Sequence, residues 1–156
     1  MKKAAVLAAS LLILSVFLAG CFMVPQERQE PLKVYSLSGE GEYLSVSNGV
    51  LVVDGENDTL YGGDLTVKSE EFPDIASYTT TIYLDGMEQT ILLSNSVTDV
   101  TGDAIQVSKH IGKVSGDIFR DEDPLDNHLW FSLKTTNLRG EENTYLVQLQ
   151  ITEVVS

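Results

Sequence analysis

From Lys33 onward, apolar and polar residues alternate with a period of two in short runs separated by turn dipeptides. Successive strand side chains point to opposite faces, so this pattern predicts half-buried β-strands. Val34-Tyr35-Ser36-Leu37-Ser38 and Tyr43-Leu44-Ser45-Val46-Ser47 are the first two. Asn48-Gly49 predicts a hairpin turn, because both residues tolerate positive φ, with Val50 to Val53 returning. The next turn falls at Asp54 to Asp58. Leu60-Tyr61 and Asp64 to Lys68 form a strand pattern broken by Gly62-Gly63, a pair that predicts a bulge or bend.

Two further hairpins follow. Ser77 to Leu84 places Tyr78, Thr80, Ile82 and Leu84 on one face, Asp85-Gly86 turns the chain, and Met87 to Ser94 places Met87, Gln89, Ile91 and Leu93 together. Near the C-terminus Leu129, Phe131 and Leu133 share a face, with Trp130 on the other. A loop over Asn137 to Glu142 then leads to Tyr145, Val147, Leu149 and Ile151, alternating with polar residues. Between these hairpins, Ile105 to Ser108 and Ile111 to Val114 predict short strands, and Gly116 to Asn127 an acidic loop. Glu70 to Ala76 has room for one helical turn; no longer amphipathic helix is predicted.

Eight or nine short strands joined mostly by hairpins predict an all-β domain, an antiparallel β-sandwich of immunoglobulin-like architecture. The Cys…Trp…Cys spacing of antibody domains is absent. About 120 residues bury roughly two-thirds of their unfolded surface, enough for a core without disulfides. Trp130, Phe131, Tyr78, Tyr83, Tyr145 and the aliphatic alternators are its predicted contents.

The first 32 residues follow other rules. Met1-Lys2-Lys3 is basic, and residues 4–20 carry no charge. As a helix this run is about 25 Å long at ~1.5 Å per residue, slightly short of the ~30 Å hydrocarbon layer. Basic head, apolar middle and small residues at the end predict a secretory signal peptide. Leu18-Ala19-Gly20-Cys21 resembles the lipobox of bacterial lipoproteins. The resemblance implies cleavage between Gly20 and Cys21, a diacylglycerol on the Cys21 sulfur and a further fatty-acyl chain, such as palmitate, on the new N-terminus. Two or three chains anchor stably where one does not. Residues 1–20 are thus the expected signal peptide, 21–32 the lipidated cysteine and a flexible tether with Pro25 and Pro31, and 33–156 the β-sandwich domain. Ser38-Gly39-Glu40-Gly41-Glu42-Tyr43 also resembles the Gly-Glu-Ser-x-x-Trp opening of small β-rich lipoproteins of Gram-positive bacteria, with Gly41 in place of the serine. That likeness implies no activity. The expected location is the extracytoplasmic face of the cell membrane, held there by lipid.

Charge sharpens the picture. The 156 residues carry 10 basic and 23 acidic side chains, a formal net of -13. Removing residues 1–20 takes away Lys2 and Lys3 and no acid, which leaves -15. Such a surface repels nucleic acid and anionic lipid headgroups. The chain has one cysteine, so intrachain disulfides and multi-cysteine metal sites are excluded.

Candidate chemistry is sparse. His110 and His128 lie 18 residues apart in no ligand or dyad spacing, and read as exposed strand-end residues. There is no Gly-x-Ser-x-Gly, His-Glu-x-x-His, phosphate loop or dinucleotide fingerprint. Two loops offer clustered oxygens for Ca²⁺: Asp54, Glu56 and Asp58, and Asp121, Asp123 and Asp126 beside Glu122. The first lacks the glycine and glutamate of an EF-hand. No catalytic residue and no cofactor is expected beyond the Cys21 lipid and that calcium. The expected function is a non-enzymatic binding or envelope-structural module for a protein, glycan or small ligand. The alternatives are a Ca²⁺-dependent adhesion unit and an enzyme whose residues converge only in three dimensions.

Overall fold

The computed structural model describes residues 32–54, 57–68, 72–86, 89–118 and 128–154. Among them are nine strands: β1 (Lys33–Glu40), β2 (Leu44–Val53), β3 (Asp58–Val67), β4 (Ile75–Leu84), β5 (Thr90–Thr98), β6 (His110–Gly116), β7 (Leu129–Asn137), β8 (Glu142–Gln148) and β9 (Gln150–Glu153). They form two antiparallel sheets, β6-β3-β2-β1-β9 and β5-β4-β7-β8, which pack face to face as a β-sandwich. Their inner faces supply one core, with Leu51, Leu60, Ile82, Leu129, Phe131 and Leu133 fully enclosed. Burying a side chain of this size is worth ~1.5–3 kcal/mol, so these alternating positions are what hold the two layers together.

The alternation predicted for Leu129, Phe131 and Leu133, and for Tyr78, Thr80, Ile82 and Leu84, is the buried face of β7 and β4. Of the aromatic residues expected inside, Phe131 and Tyr78 are buried in the core and Tyr145 packs against its edge. Tyr83 is buried too, on the face of β4 opposite Ile82, where it pairs with the half-buried Trp130.

Asn48-Gly49 is not a hairpin turn. β2 runs straight through it, paired with β1 on one side and β3 on the other. Asn48 has φ 56° and lies opposite the Gly62-Gly63 interruption of β3, where Gly63 has φ 82°. The register of β1 slips between Leu37 and Gly39, and that of β3 and β6 slips on either side of Gly63, which pairs with Gly112. Positive-φ residues therefore line up across adjacent strands as a crease, and bulges bend the strands that carry them. The same dipeptide that closes a hairpin serves here to bend a sheet.

Two other departures have causes of their own. Ile82 pairs with Leu93 but Tyr83 with Ile91, so Leu92 is an extra residue. The bulge turns Leu92 inward beside Leu93 and leaves Ile91 exposed, against the alternation expected for Met87 to Ser94. The C-terminal alternation from Tyr145 to Thr152 holds, but it spans two strands. Leu149, 1% exposed, lies where the chain leaves one sheet for the other.

Candidate functional site

The segment joining β5 to β6 is an extended strap. Ile105 and Val107 turn inward against the core, in the alternation that predicts a strand, yet the strap belongs to neither sheet. It bridges them instead. The Ile105 N–H donates to the Ile75 carbonyl (2.8 Å), and the Ser108 N–H donates to the buried Tyr78 hydroxyl (3.1 Å), both in the second sheet. The Leu65 N–H of the first sheet donates to the Lys109 carbonyl (2.7 Å).

Beneath this strap lies a cleft of about 570 Å³. Its walls are Leu65, Val67, Phe72, Ile75, Ile105 and Val107, with Thr66, Gln106 and the exposed Lys109 as its polar members. Phe72 is held by Tyr145 (ring centroids 4.7 Å), which in turn meets Tyr43 edge to face at 5.6 Å. The size is that of a small-molecule pocket, and its accessible lining is mixed, slightly more polar than apolar. Among the described residues neither a histidine nor a carboxylate lines it.

The cleft also has a position relative to the tether. Lys33 pairs with Val53 at one end of the first sheet, whereas Leu44 pairs with Val67 at the other. The 8 residues of β1 put roughly 24 Å between these ends at ~3.4 Å per residue. The cleft therefore opens at the pole away from the point where residue 32 enters the domain.

Asp99 anchors the start of the strap. Its carboxylate accepts the Thr101 hydroxyl (2.7 Å) and the N–H groups of Thr101 (3.0 Å), Gly102 and Asp103 (2.8 Å). Its own N–H donates to the Ala76 carbonyl (2.8 Å). The Thr101 hydroxyl first, then these backbone donors, hold the carboxyl below the ordinary aspartate range. A depressed acid stabilises the fold above its unfolded pKa, and that contribution is lost as pH falls through the folded value. Acidification should therefore lower the melting temperature of the natural chain more steeply than that of Asp99→Asn, which has no proton to take up there. Thermal denaturation across the aspartate range measures this.

The predicted site residues are dispersed. His110 opens β6, an exposed strand-end position, and its Nδ1 lies 2.9 Å from Asp64 Oδ1, with 84% of the side chain exposed. Asp64 also accepts from Asn48 Nδ2 (2.8 Å), and this bond holds its pKa below the ordinary value against an opposing desolvation, with His110 adding a lesser lowering. His128 Nδ1 contacts the Asp85 carbonyl at 2.7 Å. The two histidines are thus committed to different partners. Asp54 is exposed and accepts from the Asn57 N–H (2.5 Å), while Asp58 is buried at the head of β3. Cys21, Glu56, Asp121, Asp123 and Asp126 lie outside the described residues. Among the described residues no group of three or more His, Cys, Asp or Glu converges as a metal site, and no helix is long and apolar enough to cross a membrane.

Sequence reasoning did not find the cleft. The inward Ile105 and Val107 were legible as an alternation, but their role as a bridge depends on Ile75, Tyr78 and Leu65, which lie far away in the chain. No protein-family model, no curated protein and no solved structure matches this chain.

Proposed function

We propose that this chain is a bacterial lipoprotein, a non-enzymatic binding module held by lipid on the extracytoplasmic face of the membrane. The observation that carries the reading is Leu18-Ala19-Gly20-Cys21, which places the chain's only cysteine directly after the uncharged run 4–20. The domain supports it in two ways. The first strand starts at Lys33, leaving eleven residues after Cys21 as a tether of at most about 35 Å. The cleft opens at the far pole, so an anchored domain presents it away from the bilayer.

The ligand suited to the cleft has an apolar body and an anionic end. Six apolar side chains would cover the body, and Lys109 at the rim offers a positive charge on an otherwise acidic chain. Mass spectrometry of the native product tests the anchor: the expected species begins at Cys21 and carries two or three acyl chains, and an unmodified thiol behind an intact Met1 overturns it. A dansyl-labelled medium-chain fatty acid tests the cleft. Its fluorescence should rise on binding, and Lys109→Glu should weaken that binding about tenfold, because an attraction and a repulsion each worth up to ~1 kcal/mol at an exposed site are exchanged. Equal binding by both chains would remove the ligand class and leave the anchor standing.

A further inference from the structure

We infer that the outer face of the β5-β4-β7-β8 sheet is a second binding surface, built for an uncharged polysaccharide. Register places its outward residues in rows across the four strands. One row is Ser96, Thr79, Lys134 and Thr144, and the next is Ser94, Thr81, Ser132 and Leu146. Beyond them lies an apolar and aromatic row: Ile91, Tyr83, Trp130 and Gln148. Neighbours in a row are ~4.8 Å apart, and rows are ~6.8 Å apart along the strands. The result is a lattice of hydroxyls bordered by the exposed Ile91 and the half-buried Trp130, with Tyr83 buried between them.

Three properties select the partner. The first is charge. On a chain of net -13, the charged side chains of these rows and of the next, Thr98 to Glu142, are Lys134 and Glu142, and they neutralise each other at 2.9 Å. The second is composition. Serine is depleted at protein–protein interfaces, and serine and threonine rarely carry their binding energy, whereas hydroxyls exchange hydrogen bonds readily with sugar hydroxyls. The partly exposed Trp130 ring presents an apolar face to the C–H side of a pyranose. The third is preorganisation. Thr79 Oγ1 and Ser96 Oγ lie 2.8 Å apart, and Thr81 Oγ1 and Ser94 Oγ 3.4 Å, so these hydroxyls are already held by one another before a ligand arrives. Fixed donors and acceptors lower the ordering cost of binding. A second copy of the chain would need an apolar centre, and the exposed Ile91 and Leu146 are separated on opposite edge strands.

Trp130 is the chain's only tryptophan, so its fluorescence reports on this face alone. The full chain, held in an amine-oxide detergent free of sugar, would be titrated with cellohexaose and chitohexaose, and with an acidic hexasaccharide of galacturonate. The neutral sugars should shift the Trp130 emission to the blue and saturate, with the acidic one at least about tenfold weaker. Thr144→Ala, at an exposed position, should weaken the neutral sugars about tenfold, the scale of a lost hydrogen bond, without moving the melting temperature. Lys109→Glu should leave this titration unchanged, which separates the surface from the cleft. Unaltered emission with millimolar neutral sugar overturns the inference. So does equal response to the acidic sugar, or a dimer in solution that Leu146→Asp dissociates.

Discussion

Gly63→Ala should destabilise the domain by about 3 kcal/mol or more, while Gly140→Ala, at the same backbone angle, should cost about 1–2 kcal/mol. Both glycines have φ 82°. An alanine in the left-handed region carries a conformational penalty at either site. At Gly140 a new Cβ would meet nothing within 4 Å. At Gly63 it would fall within 3 Å of the Ser47 carbonyl oxygen and of the Gly49 backbone. These are main-chain atoms of the adjacent strand, and they move only if the ladder between β2 and β3 opens. The pair of variants subtracts the shared angular penalty and isolates the crowding at the crease. Thermal or urea unfolding measures both, and a domain of this size shifts its melting temperature by roughly 3–6 °C per kcal/mol. Equal losses at the two positions would show that the crease tolerates a side chain.

The same crease marks the limit of what local pattern reveals. The alternation of Leu129, Phe131 and Leu133 identified a core face because each inward position is apolar and no bulge interrupts β7. Alternation failed at Ile91, because one extra residue at Leu92 inverts every side chain beyond it, and nothing local marks that insertion. Asn48-Gly49 misled for a related reason. Positive φ is what the dipeptide permits, and whether the chain then reverses or only bends depends on the strands beside it. Topology was out of reach in the same way. Tyr145 to Thr152 is one continuous alternation, and only the partners, Phe131 for Val147 and Leu37 for Ile151, assign its halves to different sheets. The cleft needs three such long-range pairings at once. The resemblance of Leu18-Ala19-Gly20-Cys21 to a lipobox, by contrast, needs no long-range pairing, because four adjacent residues carry it.

Cys21→Ser should abolish incorporation of labelled palmitate completely, and should leave a product heavier by residues 1–20. The size of this effect follows from how the proposed anchor divides its work. Each buried methylene contributes ~0.8 kcal/mol, so one acyl chain holds a protein only reversibly, and two or three hold it durably. On this proposal the domain adds no electrostatic attraction to the bilayer, because residues 21–156 carry a net charge of -15 and are repelled by anionic headgroups. All lasting contact with the bilayer then depends on one sulfur. The competing account makes residues 4–20 an uncleaved anchor and Cys21 incidental. Their length of about 25 Å comes close enough to the hydrocarbon thickness for that account to work. On that account the serine variant and the natural chain have the same N-terminus, the same mobility in electrophoresis and the same lack of acyl label. On the proposed one they differ in all three. Metabolic labelling followed by electrophoresis and intact-mass measurement decides between them, since the substitution only exchanges a thiol for a hydroxyl.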